Sequence, residues 1–240
     1  MTVILSRDNT DERGRAFEAE VIPRLAAAGA DVLVVPHVYH VPHDAALWEE
    51  LAQVEGPILA LTWLYPRPAE WVLRSHGIGA GALECIDLRG YDTPEQCAAD
   101  CSANLEAGAA GTIRELTCDV AERWYPVVDY SRCINCEQCL QFCLFDVYAL
   151  DASGATVAVR PDNCKPGCPA CARVCPRGAI MFPLYDKGGA VAGAPGKWMA
   201  PDGAARQLFE RRTRRPHKAQ AADDLDALID DLDRLTQGRP

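Results

Sequence analysis

The chain has 240 residues, of which 49% are hydrophobic and 24% charged, a composition typical of a water-soluble protein of one or two domains. Its net charge of −10 is concentrated at the start: residues 1–120 carry −11, residues 121–186 carry −1 and residues 187–240 carry +2. This acidity argues against nucleic acid as a partner, and no apolar run approaches the ~20 residues that a membrane-spanning helix needs. The first residues lead directly into a charged stretch, so we expect no secretory signal and a cytoplasmic location.

The first 120 residues alternate between predicted strands and predicted helices. Short apolar runs predict buried strands at residues 2–6, 31–36, 57–62 and 82–88. Apolar residues at helical spacing predict helices at residues 12–28, 43–54, 68–76 and 93–107. Asp44 is expected to cap the second of these helices. Such alternation is typical of a parallel sheet with helices on both faces, so we expect an α/β domain at residues 1–120, flavodoxin-like or chelatase-like in architecture.

Three histidines follow the second predicted strand. Ligands of open parallel sheets bind beyond the carboxyl ends of the strands, which is where His37, His40 and His43 fall. Their spacing indicates a site for a metal, a tetrapyrrole or a small anion. The stretch VVPHVYHVP is faintly similar to a loop of sirohydrochlorin-type cobalt chelatases, although Ser6 and Arg7 stand where those enzymes carry a metal-binding histidine. The alternative is that neighbouring groups or solvent satisfy these histidines.

Nucleotide-binding motifs are absent from this half of the chain. Neither G-x-G-x-x-G nor G-x-x-x-x-G-K-[ST] occurs there. The first loop, SRDNTDERG, also lacks the small residues that let backbone amides approach a flavin phosphate. These absences argue against a fused flavin-binding domain.

Eight of the twelve cysteines form two runs, Cys133-x2-Cys136-x2-Cys139-x3-Cys143 and Cys164-x3-Cys168-x2-Cys171-x3-Cys175-Pro176. Thiolates are soft ligands for iron, and three of them at this spacing on a tight loop can hold three corners of one [4Fe-4S] cube. Four-thiolate zinc sites also use x2 spacing, but they typically pair one CxxC with a distant CxxC. A disulfide framework belongs to small secreted domains. The spacing therefore favours iron–sulfur clusters over zinc and over disulfides.

The sequences CINCEQCLQFC and CKPGCPACARVCPRGAI resemble bacterial-type ferredoxin domains with two [4Fe-4S] clusters, over about residues 126–183. The resemblance implies that each run gives three ligands to one cluster and its fourth cysteine to the other. Two positions depart from the family pattern: Leu144 replaces a usual proline, and the loop after Cys164 is one residue longer, which makes Cys164 the least typical ligand. The implied ligands are Cys133, Cys136, Cys139 and Cys175 for cluster 1, and Cys164, Cys168, Cys171 and Cys143 for cluster 2.

The residues around the two runs complete the ferredoxin-like pattern. Residues 146–151 and 155–160 are predicted to pair as a hairpin around Ser153 and Gly154. Four apolar residues are expected to shield the clusters from water. They are Ile134, Val147, Val174 and Ile180.

Four cysteines lie outside the runs. Cys97 and Cys101 are four residues apart on a predicted helix and share one of its faces. Together with Cys85 and Cys118 they are candidates for a third metal site. Packing in a hydrophobic core is the simpler explanation, because free cysteine is among the most buried residue types.

The remaining segments suggest a second domain and a tail. Residues 121–186 form the predicted dicluster domain, and residues 187–204 a Gly/Pro-rich irregular extension. A basic run follows at 211–215, and residues 223–235 predict an acidic amphipathic helix.

Together these patterns predict an iron–sulfur electron-transfer protein with two [4Fe-4S] clusters, a ferredoxin-like component of a larger oxidoreductase system. Its partners would be donor and acceptor oxidoreductases, and no obvious nucleophile or acid–base pair marks a substrate pocket. The alternative is an enzyme whose α/β domain binds a metal, a tetrapyrrole or a small anion near His37, His40 and His43, with the clusters as its redox relay.

Overall fold

The N-terminal part of the protein is built on a five-stranded, wholly parallel sheet. The structure is a computed structural model and describes residues 1–8, 11–103 and 109–196. The strand order is β4-β3-β1-β2-β5, and each pairing is parallel, as the sequence predicts. The strands are β1 (Thr2–Ser6), β2 (Asp31–Val35), β3 (Ile58–Thr62), β4 (Leu83–Asp87) and β5 (Ile113–Glu115).

The position of β5 separates this sheet from the flavodoxin-like strand order. The first four strands follow the order 2-1-3-4, which flavodoxin-like sheets also have. Such sheets place the fifth strand beside the fourth, whereas β5 here lies on the opposite edge, beside β2. This part of the protein is therefore of the α/β class, and neither the flavodoxin-like nor the chelatase-like type is confirmed.

Two hydrophobic cores cover the two faces of the sheet. On one face, α1 (Glu12–Ala27) and α4 (Pro94–Ser102) pack against Val3, Leu5 and their neighbours. On the other, α2 (Ala46–Ala52) and α3 (Pro66–Arg74) pack against Ile4 and adjacent strand residues. This division follows from the alternation of side chains along each strand, because successive residues point to opposite faces.

The main departures from the predicted elements have local causes. Strand β5 is absent from the prediction because its residues, IRE, are all exposed and two are charged. Asp44 does not cap α2. A turn, in which the Ala45 amide donates to the Pro42 carbonyl, precedes the helix, so α2 begins later than predicted. Its N-cap is Ala45, which makes no side-chain hydrogen bond. Thr93 does cap α4, since its hydroxyl accepts a hydrogen bond from the Gln96 amide.

The C-terminal part is small and rich in turns. Strands β6 (Val127–Val128) and β9 (Ile180–Met181) pair antiparallel, and so do β7 (Tyr148–Leu150) and β8 (Thr156–Ala158). The second pair confirms the predicted hairpin. Asp151 closes its turn by accepting hydrogen bonds from the amides of Ser153 and Ala155. The short helices α5 (Gln138–Phe142) and α6 (Ala170–Val174) pack together.

The two parts share a hydrophobic core. Tyr125, Val127 and Met181 belong to the C-terminal part, yet they are buried in the same cluster as α2 and α3. The Tyr39 hydroxyl adds two hydrogen bonds to the junction: it donates to the Tyr125 carbonyl at 2.6 Å and accepts from the Tyr125 amide at 2.7 Å. The domain boundaries at residues 120 and 186 stay predictions.

The segment after β9 folds back onto the core. Residues Gly189–Ala192 form the one-turn helix α7, which corrects the predicted irregular extension at these positions. The turn that follows lies so close to α3 that a Cβ on Gly193 would stand 2.7 Å from Pro68 Cδ. The predicted features at 197–204, 211–215 and 223–235 lie outside the described residues. Among the described helices, none has the length and apolarity to cross a membrane.

Candidate metal centres

The eight cysteines of the two runs line two neighbouring cavities. The larger, of about 340 Å³, is lined by Cys143, Cys164, Cys168 and Cys171 together with apolar side chains such as Phe145 and Val147. The smaller is lined by Cys133, Cys136, Cys139 and Cys175. Each cavity thus gathers three cysteines of one run and the last cysteine of the other. That arrangement is what a pair of cubes with exchanged fourth ligands requires.

Left-handed backbone shapes the loop of the first run. Asn135 and Glu137 have φ values of 52° and 59°, which turn the chain sharply between successive cysteines. The Asn135 side chain fixes this loop to the β7–β8 hairpin, donating to the Gly154 carbonyl and accepting from the Thr156 amide, each at 2.7 Å. The hairpin therefore serves as the support of the loop that carries Cys133, Cys136 and Cys139.

The longer loop of the second run does not displace Cys164. The chain reverses at Gly167, whose φ of 75° suits glycine, and the Cys168 amide donates to the Lys165 carbonyl. Cys164 lies in the cavity with Cys168 and is buried. The extra residue is thus absorbed in a turn, and Cys164 lines the same cavity as Cys168 and Cys171.

Burial keeps several of these thiols protonated in the metal-free chain. It raises the pKa of Cys139 and of Cys164 to about 12. Burial also raises the pKa of Cys171, beside the hydroxyl of Tyr148. Since ligands must be thiolates, binding of metal here would release protons.

The apolar shield is only partly as predicted. Val147 and Ile180 are buried and Val174 is partly buried, but the Ile134 side chain is 57% exposed. Ile134 lies on the same loop as Cys136, which is the only exposed cysteine of the twelve. The smaller cavity therefore reaches the surface at this loop.

The four cysteines outside the two runs do not gather at one place. Within residues 1–8, 11–103 and 109–196, no three His, Cys, Asp or Glu side chains converge as ligands of a single ion. The four other cysteines are divided by the sheet. Cys85 and Cys118 pack on the face of α2 and α3, whereas Cys97 and Cys101 are buried on the face of α1 and α4. The four candidate ligands therefore do not meet at one place, and packing, the simpler of the two explanations, accounts for them.

The predicted histidine site is a packed cluster. His37 and His40 are each 5% exposed, with ring centroids 4.8 Å apart, and the His40 Nδ1 accepts a hydrogen bond from the Arg123 amide at 3.1 Å. His43 Nδ1 lies 3.1 Å from His76 Nε2. Neighbouring groups thus bind one ring nitrogen each of His40 and His43, whereas His37 Nδ1 and His43 Nε2 are buried without a hydrogen-bond partner among the described residues. The three predicted histidines do not converge as ligands of a single ion there.

The fourth member, His76, was not predicted. Its ring stacks on Trp48 with centroids 3.9 Å apart, at the end of α3 and 33 residues from His43. No local spacing in the sequence links these two histidines, because only the packing of α3 beside α2 brings them together.

The buried histidines predict a loss of stability in acid. Burial lowers the pKa of His37 to about 4, so the folded chain favours its neutral form. The contribution is present above the unfolded pKa of 6.5 and is lost as the pH falls towards the folded value, by about 2 kcal/mol at about pH 5. We expect His37→Gln to lose less unfolding free energy than the wild type between neutral pH and about pH 5 in urea titrations. Equal losses in both proteins would contradict this.

Comparison with known proteins identifies the cysteine-rich part. Residues 125–193 match the family model of the 4Fe-4S dicluster domain. The chain is 47% identical over 62 residues to an uncharacterized ferredoxin of Methanocaldococcus jannaschii, a match that covers 25% of this chain and 41% of that protein. No solved structure matches. The faint likeness to cobalt chelatases gains no support. The protein thus carries an iron–sulfur domain of ferredoxin type.

Proposed function

We propose that this protein carries two [4Fe-4S] clusters and passes electrons between partner oxidoreductases as a component of a larger oxidoreductase system. The observation that carries the proposal is the grouping of the eight cysteines into two cavities of four. The ligands would be Cys133, Cys136, Cys139 and Cys175 for cluster 1, and Cys143, Cys164, Cys168 and Cys171 for cluster 2. The clusters would supply reversible uptake and release of single electrons.

The protein's own residues hold and insulate these sites. Trp124, just before the family match, donates from its indole nitrogen to the Cys168 carbonyl at 3.3 Å and stacks on Phe182 with centroids 5.0 Å apart. Apolar neighbours of this kind keep water from the cluster, which influences its reduction potential. Both cavities also border Tyr148, so the two sites are adjacent.

Partners would exchange electrons at the loop of Cys136. It is the exposed cysteine, and Ile134 beside it offers an apolar contact on the surface. A single exposed apolar residue is common on protein surfaces, but Ile134 lies where the proposed ligand Cys136 is in contact with solvent. Cluster 1 would therefore be a point of entry or exit for electrons.

The decisive measurement is the iron and sulfide content of anaerobically purified protein, combined with low-temperature EPR after dithionite reduction. We expect about eight irons per chain and a spin-coupled signal from two reduced cubes. About four irons would reduce the proposal to a single cluster. Zinc without an EPR signal would overturn it.

The histidine cluster does not support the alternative enzyme. His37 and His40 are buried, and one ring nitrogen each of His40 and His43 contacts Arg123 or His76. His37 Nδ1 and His43 Nε2 have no hydrogen-bond partner among the described residues, but the rings do not converge as ligands of one ion there, so we propose no second function.

A further inference from the structure

An arginine of the α/β part reaches one of the proposed cluster ligands through a single peptide group. Arg67, at the start of α3, donates from Nη2 to the Gly178 carbonyl at 2.6 Å. The amide of the same peptide group belongs to Ala179, and it donates to the Cys175 Sγ at 3.2 Å. Guanidinium, peptide and sulfur are thus connected in one line of hydrogen bonds.

The position of Arg67 makes this connection strong. Its side chain is 21% exposed, and its Nε also contacts the Met181 sulfur at 2.9 Å. Burial lowers the pKa of Arg67, and the positive charge of Arg132 lowers it further. Asp129 and Cys175 raise it. A guanidinium nevertheless keeps its charge in proteins. In these surroundings of reduced dielectric, a fixed positive charge acts with little screening.

The physical effect has a definite sign. A cation on a carbonyl polarises the peptide group and strengthens the hydrogen bond that its N–H donates. Hydrogen bonds to the ligand sulfurs and nearby positive charge both stabilise the more negative, reduced state of a cluster. Asp129, whose Oδ2 lies 3.3 Å from Arg67 Nε, offsets part of the charge but makes no bond to this peptide group.

We infer that Arg67 raises the reduction potential of cluster 1, so that the α/β part sets the difference between the potentials of the two clusters. The inference rests on the proposed function, since it needs Cys175 as a ligand of cluster 1. It also gives the fused N-terminal part a role in electron transfer, because α3 supplies the guanidinium that bonds directly to this peptide group.

The test is a redox titration of the full chain followed by EPR, with Arg67→Gln, Arg67→Lys and the wild type. In Arg67→Gln we expect one potential to fall: at the wild-type midpoint, the ratio of reduced to oxidised cluster should drop about tenfold, equivalent to about 59 mV for one electron. The other potential should stay unchanged. Arg67→Lys keeps the charge but loses the planar fork, so its shift should be smaller in the same direction.

The matched control is Arg74→Gln, on the same helix. Arg74 bonds to Glu70 and to the Gly79 carbonyl, both at 2.8 Å and both within the α/β part. The Arg74→Gln substitution removes the same charge from the chain as Arg67→Gln, and we expect it to leave the potentials of both clusters unchanged. An equal shift in this control would assign the effect to overall charge and overturn the inference.

Other outcomes separate the inference from the proposed function. Two clusters whose potentials do not move in Arg67→Gln would overturn the inference and leave the proposed function standing. A wild type without any cluster signal would overturn both. The shift should also persist beside Cys143→Ser, where only cluster 1 is expected to remain; its disappearance there would place the effect on cluster 2 and contradict the assignment.

Discussion

Replacing Cys175 with serine is expected to remove about half of the iron and sulfide and to leave one cluster intact. Cys175 follows Cys171 by four residues, yet it lines the cavity of Cys133, Cys136 and Cys139. The loss should therefore fall on the cluster held mainly by the first run. Iron and sulfide assays of the anaerobic protein, with EPR of the remaining cluster, measure it.

Double variants show which cysteines share a cluster. Adding Cys133→Ser to Cys175→Ser should cost no further iron, because both cysteines line the same cavity. Adding Cys164→Ser instead should remove nearly all of it, because Cys164 lines the other cavity. The reverse pattern would mean that each run builds its own cluster, and the exchanged ligands would be wrong. Cys118→Ser is the control, since Cys118 lines neither cavity, and it should keep its full iron content.

Removal of the Tyr39 hydroxyl is expected to destabilise the protein by about 4 kcal/mol. That hydroxyl pairs with both the amide and the carbonyl of Tyr125, and both tyrosines are buried. Phenylalanine would keep the stacked rings, whose centroids are 4.2 Å apart, but would leave two backbone groups without partners. Urea unfolding of the cluster-loaded protein, followed by circular dichroism, gives the difference in unfolding free energy.

The control for this prediction is Tyr125→Phe. The Tyr125 hydroxyl is buried with no hydrogen-bond partner among the described residues. Its removal relieves an unpaired polar group and should change stability by less than about 1 kcal/mol. Equal costs in the two variants would contradict the prediction, because both keep the stacked rings and only Tyr39→Phe removes the bridging hydroxyl.

The sequence predicts what depends on local spacing. The first four strands and helices are recognisable because apolar residues recur with the period of each element, and the cysteine runs because their ligands lie within a few residues of each other. Strand β5 escapes prediction because its place at the sheet edge depends on backbone bonds to β2 and not on its own exposed side chains. Tertiary packing decides such short segments.

The contacts that join distant segments could not be predicted. Arg67 and Gly178 are 111 residues apart, and Tyr39 and Tyr125 are 86 residues apart. No sequence pattern around these residues predicts that they are partners. The surroundings of the three loop histidines could not be predicted either, because they come from residues 123–125 and from the end of α3.

The shared core also constrains the order in which the newly made chain can mature. The strands and helices of the first 115 residues leave the ribosome before the cysteine runs, and N-terminal units generally fold first. Yet the face of α2 and α3 is completed only by Tyr125, Val127 and Met181, and Met181 follows the last proposed ligand, Cys175. The nascent sheet must therefore wait, with one apolar face uncovered, until all eight cysteines have been synthesised. Covering that face is therefore a late event, which follows the synthesis of the last proposed ligand.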